Sequence, residues 1–165
     1  MPALEAGTMA PEFKLPATDG KPFSLAEALQ RGPVLAAFFK VSCPVCQFAF
    51  PFLERVHKAY AGSAVTVVGI SQDDKRDTAA FLREYGITFP VLLDDTRSYP
   101  VSNAYGLTNV PSVFLITPEG GIEISSVGWS RQDVEAFSAR LAQAAGKPAA
   151  RIFPAGEDIP DFKAG

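Results

Sequence analysis

The sequence predicts an α/β protein: a mixed sheet of four or five strands with helices on both faces, and a short β-hairpin ahead of it. Three observations lead there. Four runs, "VLAAFF" (34–39), "VTVVGI" (65–70), "FPVLLD" (89–94) and "SVFLI" (112–116), are β-branched or aromatic and apolar without alternation, the pattern of strands covered on both sides. The stretches between them hold helical periodicity. The turn "TPEGG" then leads into "IEISSV" (122–127), which partly alternates and so reads as the second arm of a hairpin at the sheet edge.

In chain order, "PEFKLPATDGKPFSL" is the N-terminal hairpin and 34–39 the first central strand. Cys46 to Tyr60 is helical with an interruption at Pro51, which lacks an amide hydrogen and clashes one turn back. After the strand at 65–70, "TAAFLREYG" puts Phe81, Leu82 and Tyr85 on one helical face with Gly86 as the stop. Gly106 closes a shorter helix around Asn103 to Tyr105. The last helix has Ser130 and Asp133 in capping positions, Val134, Phe137 and Leu141 on its apolar face, and Gly146 at its end. Residues 1–146 thus form one domain. The tail 147–165 has neither period, and reads as a strap over the domain surface or a loose end. In a second reading, Ile152, Phe153, Ile159 and Phe162 anchor a contact to another copy of the chain as a homodimer.

The 165 residues, 47% hydrophobic and 20% charged, suffice for one ordinary core. A net charge of −3 with scattered Lys and Arg gives no nucleic-acid surface. No apolar run is long enough for a membrane span, and the first residues lack the basic and apolar regions of a signal peptide. The expected location is cytoplasmic, or periplasmic if the start has been processed.

Both cysteines lie in "FFKVSCPVCQFAFPF" (38–52). A disulfide closing so short a loop removes little entropy from the unfolded chain, so it is a poor staple. Structural zinc usually takes four ligands, and even with His57 the chain supplies three of the Cys/His type, so no metal is expected within one chain. Redox chemistry remains, beside the plainer reading of two small core residues. A C-x-x-C after a buried strand and opening a helix favours the former. Cys43 falls at the helix mouth, where free amides and the helix dipole favour a thiolate and lower its pKa from about 8.5. Cys46 lies one turn inside, within bonding reach, and burial keeps it protonated. Pro44 suits a first-turn position, which needs no amide hydrogen. Val110 and Pro111 directly precede the strand 112–116, where an X-Pro bond permits cis although trans is the commoner form.

Taken together, "APEFKLPATDGKPFSL", "CPVC" followed by Phe50 and Pro51, "VVGISQDD", "YGITFPVLLDD", "AYGLTNVPSVFLITPEGGI" and the helix after "GW" resemble the thioredoxin-like fold. More narrowly they resemble the TlpA/ResA-type thiol-disulfide oxidoreductases of the redoxin, or AhpC/TSA, group, over about Ala10 to Gly146. The resemblance implies a three-layer α/β/α sandwich with Cys43 as nucleophile and Cys46 as resolving thiol. Pro111 would be a cis-proline facing the pair, and Val110 would offer its backbone to a substrate strand. The implied cofactor is none beyond the redox-active Cys43–Cys46 pair. Implied partners are protein or small-molecule thiols and disulfides, with a thioredoxin- or glutathione-type reductant.

The chain departs from that pattern where thioredoxins carry a buried acid, here Ala37, and where TlpA/ResA-type proteins often have a glutamate, here Ala49. Trp129, the lone tryptophan, either borders the site or packs on the core. The competing function is a peroxiredoxin-like peroxidase, but the hydroxyl of P-x-x-x-T/S-x-x-C is absent: counting back from Cys46 meets Cys43 and Phe39, and from Cys43 meets Lys40 and Ala36. Arg97 and Arg131 are its candidate peroxide-polarising cations. A redox-inert binding module is the third class.

Overall fold

A computed structural model describes residues 3–165. Five strands, β3 (Val34–Phe39), β4 (Thr66–Ser71), β5 (Val91–Leu93), β6 (Ser112–Ile116) and β7 (Ile122–Val127), form one sheet in the order β5-β4-β3-β6-β7. β3, β4 and β5 are mutually parallel, and β6 and β7 are added antiparallel. Before them, β1 (Lys14–Pro16) and β2 (Pro22–Ser24) make the N-terminal hairpin. The helices are α1 (Leu25–Leu29), α2 (Pro44–Ala59), α3 (Lys75–Tyr85), α4 (Pro100–Ala104) and α5 (Arg131–Ala145).

Layering follows from strand order. The crossovers β3-α2-β4 and β4-α3-β5 step the same way along the sheet, so right-handed connections place both helices on one face. There α2, α3 and α5 pack Phe50, Leu53, Phe81, Phe137 and Leu141 against Leu35, Ala37 and Phe39 of β3. Val34, Ala36 and Phe38, the alternate residues of that strand, face Phe13, Leu25, Ala28 and Tyr105 from the N-terminal segment, α1 and the end of α4. Every residue of β3 is buried, which explains its lack of alternation.

Ser130 caps α5, its Oγ accepting the Asp133 N–H at 3.2 Å, and Gly86 and Gly146 end α3 and α5 as expected. Pro51 does not interrupt α2, which is continuous over its 16 residues. The side chains flanking it, Phe50, Phe52 and Leu53, are buried, and that packing outweighs the missing backbone bond. The short α1 was not visible in the sequence; its cap is Ser24, whose Oγ accepts the Glu27 N–H at 3.3 Å.

The tail packs on its own domain. Ile152, Phe153 and Ile159 are buried among α2 and α5, Phe153 lies 5.4 Å from the Phe52 ring, and Arg55 grips the Glu157 carboxylate with two bonds of 3.0 Å. Three of the four residues read as possible dimer anchors are therefore spent within the chain. The fourth, Phe162, is exposed and lies in β9 (Phe162–Lys163), which pairs antiparallel with β8 (Trp129–Ser130).

Candidate active site

The connector Lys40–Ser42 leaves the end of β3 and is held from two sides. Asp73 Oδ2, beyond the end of β4, accepts the Val41 N–H at 2.8 Å, and Gln47 Nε2, from α2, donates to Val41 O at 2.9 Å. Asp73 is itself fixed, its N–H donating at 3.0 Å to Ser71 Oγ, which shares a buried 2.7 Å bond with Thr78 Oγ1. A rigid connector fixes where the next residue, Cys43, begins the helix.

Cys43 is the N-cap of α2, with extended backbone (φ −82°, ψ 115°) and partly exposed. Its Sγ accepts the Cys46 N–H at 3.3 Å, the amide that a free N-cap oxygen would otherwise take. The same sulfur donates to Val110 O at 3.5 Å. Both sulfurs are free thiols. Cys46 is fully buried, and burial pushes its thiol well above the ordinary range. Its hydrogen bond with Cys43 and the charges of Cys43 and Asp73 add to the rise, while the Lys40 backbone amide opposes it.

Opposite the sulfurs, the Val110–Pro111 peptide is cis. A cleft of about 310 Å³ opens there, lined by Lys40, Cys43, Gln72, Leu107, Thr108, Asn109, Val110 and Gly165. A somewhat larger one, about 380 Å³, lies at the opposite end of β3 beside Pro33 and Leu115 and contains no cysteine.

The sequence model of the AhpC/TSA family matches residues 6–125. The chain belongs to the AhpC/TSA family. Within it, the chain is a TlpA/ResA-type redoxin with the C-x-x-C of a thiol-disulfide oxidoreductase. It is 31% identical over 121 residues to the thiol-disulfide oxidoreductase ResA of Bacillus subtilis, a match spanning 73% of this chain and 66% of that one. The thioredoxin-family thiol:disulfide interchange protein of Chlorobium tepidum superposes with a TM-score of 0.68 at 28% identity, over 88% of this chain and 99% of that one. A peroxiredoxin-like protein of Mycobacterium tuberculosis is also similar, 31% identical over 133 residues, covering 74% of this chain and 84% of that one.

Of the remaining candidates in this AhpC/TSA family member, only Pro44 adjoins the pair. Trp129 is 1% exposed, packed edge-on to Phe48 at 5.0 Å with its indole N–H donating to Pro160 O at 2.7 Å. It is a core and tail anchor, the second of the two readings its sequence position left open. Pro44 is exposed in the first turn of α2, beside Cys43. Arg97 pairs with Asp95 at 3.2 Å, and Arg131 with Glu135 at 3.2 Å while stacking on Phe153, so neither is turned to the sulfurs. Ala37 and Ala49 are both buried in the same core cluster as Cys46. Among the described residues no group of three or more His, Cys, Asp or Glu side chains is placed to hold a metal. Asp73, Gln47 and Gly165 were missed as site residues. Only the place of Asp73 in "SQDD" (71–74), which follows a predicted strand, hinted at it.

Proposed function

We propose that this chain exchanges disulfides through Cys43, with Cys46 resolving. Cys43 as thiolate attacks one sulfur of a substrate disulfide. The substrate S–S bond breaks, the Cys43–substrate disulfide forms, and the departing thiolate takes up a proton. Cys46, having lost its proton, then attacks Cys43 Sγ; the mixed disulfide breaks and the second substrate sulfur leaves as a thiol. The substrate gains two electrons and the enzyme holds a Cys43–Cys46 disulfide. A dithiol reductant of thioredoxin or glutathione type restores the thiols, and the sequence run backwards oxidises a dithiol. The pair needs no cofactor beyond itself.

The observation that carries this reading is the asymmetry of the pair. Cys43 is reachable at a helix mouth facing Val110 and Pro111, while Cys46 lies one turn beneath it, fully buried, with its amide on the Cys43 sulfur. Pro111 and Val110 are the residues that would meet a substrate strand, as in the family it resembles.

Peroxide reduction is the second reading, favoured by the peroxiredoxin-like relative. Against it stand the absent hydroxyl and the engagement of Arg97 and Arg131 elsewhere. The second-order rate of the reduced protein with hydrogen peroxide separates the two. A rate no faster than that of an ordinary thiolate supports disulfide exchange; a rate thousands of times faster, on the order expected when donors polarise the O–O bond, makes the protein a peroxidase.

A further inference from the structure

The last residues of the tail lie beside Val110, one of the two residues proposed above to meet a substrate strand. β9 pairs with β8 through Trp129 and Lys163 and through Ser130 and Phe162, and Arg131 N donates to Asp161 O at 2.9 Å. Beyond β9, Asn109 Nδ2 donates to the Gly165 oxygen at 3.1 Å, and Gly165 lines the Cys43 cleft. The contact is close: a Cβ on Gly165 would stand 2.6 Å from Val110 O, the oxygen that receives the Cys43 thiol. On the other side, Gly128 (φ 79°) makes room for the segment, since a Cβ there would meet Lys163 O at 2.5 Å and Gly165 N at 2.9 Å. Gly128 N in turn donates to Pro111 O at 2.8 Å, so the segment packs between Val110 and a residue bonded to Pro111.

The tail is held unevenly. Residues 152–160 are anchored by buried Ile152, Phe153 and Ile159, by Arg55 on Glu157 and by the Trp129 indole on Pro160. From Phe162 onward every residue is exposed, and the segment is held by a two-residue ladder, the Asn109 side chain and Lys163 Nζ over the Phe48 ring at 5.1 Å. Such a segment can leave while the rest of the tail stays docked.

We propose that residues 162–165 act as a displaceable strand of the protein's own, occupying the peptide edge beside Val110 and so selecting among substrates. Small disulfides reach Cys43 through the open cleft. A disulfide in an extended peptide must first displace the segment, because its backbone needs the space held by Lys163 to Gly165. The proposal rests on the disulfide-exchange reading above and deepens it by naming which substrates meet a barrier.

The test measures, in the full chain, exchange with oxidised glutathione and with a cystine-bridged decapeptide. Lys163→Pro removes a ladder amide away from the cleft, and Gly165→Val drives a side chain into Val110 O. Lys163→Pro is expected to raise kcat/KM for the peptide by at least about fivefold, since that constant scales with the fraction of molecules whose edge is free. Its rate with oxidised glutathione should stay within about twofold, as the cleft is untouched. Gly165→Val should raise the peptide-to-glutathione ratio in the same direction. A ratio unchanged in both variants, or lowered, overturns the proposal while glutathione exchange by the parent protein leaves the function standing. Failure of the parent with both substrates removes the function and the proposal together. As an independent readout, amides 161–165 should lose hydrogen-exchange protection when Cys46→Ser protein is locked to the peptide but not when it is locked to glutathione; equal protection in both contradicts the proposal.

Discussion

Buried Cys46 dictates how the second half of the reaction responds to pH. Resolution requires a Cys46 thiolate, and an ordinary thiol with pKa near 8.5 is ionised in roughly one molecule in thirty at pH 7. Here burial raises the thiol further, and Ala37 and Ala49, buried in the same cluster, carry no carboxylate to take its proton. While pH stays below that raised value, each unit multiplies the thiolate by ten, so the first-order resolution rate should climb about tenfold per unit from pH 6 through at least pH 9. Stopped-flow mixing with a chromogenic aromatic disulfide separates two phases: an attack that depends on reagent concentration, and a resolution that does not. The second phase should show the slope without a plateau. A plateau below about pH 8 would refute the reasoning, because it would put the resolving thiol in the ordinary range despite its burial.

Asp73→Asn keeps an oxygen for the Val41 amide but removes a charge that raises Cys46, so resolution at fixed pH should quicken by about threefold with the pH slope unchanged, measured in the same stopped-flow assay. The linkage also affects stability. Because folded Cys46 holds its proton more tightly than the unfolded thiol, its contribution is complete below the unfolded pKa of about 8.5 and declines above it, by about 1 kcal/mol per pH unit. Denaturation of the reduced protein at pH 8 to 10 should show this loss, and Cys46→Ala should lose less over the same interval. Phe153→Ala, which removes a buried ring from Phe52, Trp129 and Arg131, should cost about 3 kcal/mol in denaturant unfolding, a value that a tail detached in solution would not give.

What could be read from the sequence divides by range. Four strands of the sheet were legible because burial removes polar alternation over several residues, as in β3, the edge strand β7 because it partly alternates after a turn, and the Cys43–Cys46 pair because three-residue spacing at a helix mouth is a local geometry. Ser130, Gly86 and Gly146 gave helix ends for the same reason. The rest depends on pairs distant in sequence. Val41 and Asp73 meet only because β3 and β4 lie side by side, and Glu54 is buried where it accepts the Thr88 N–H at 2.9 Å and the Thr88 hydroxyl. The tail left no period to read: its buried anchors are the adjacent Ile152 and Phe153 and a lone Ile159, and β9 is two residues long, paired to another of two. Trp129 was ambiguous until Pro160 supplied its indole with a partner and Phe153 covered it.

The central claim is that Cys43 attacks and Cys46 resolves. The most direct test incubates Cys43→Ser and Cys46→Ser proteins separately with a disulfide-bonded peptide and identifies the covalent adduct by intact-mass and fragment mass spectrometry. The account predicts that Cys46→Ser accumulates a mixed disulfide on Cys43 without turnover, and that Cys43→Ser, with its remaining thiol fully buried, stays unmodified. Rapid adduct formation on Cys46, or normal turnover by either variant, would contradict it.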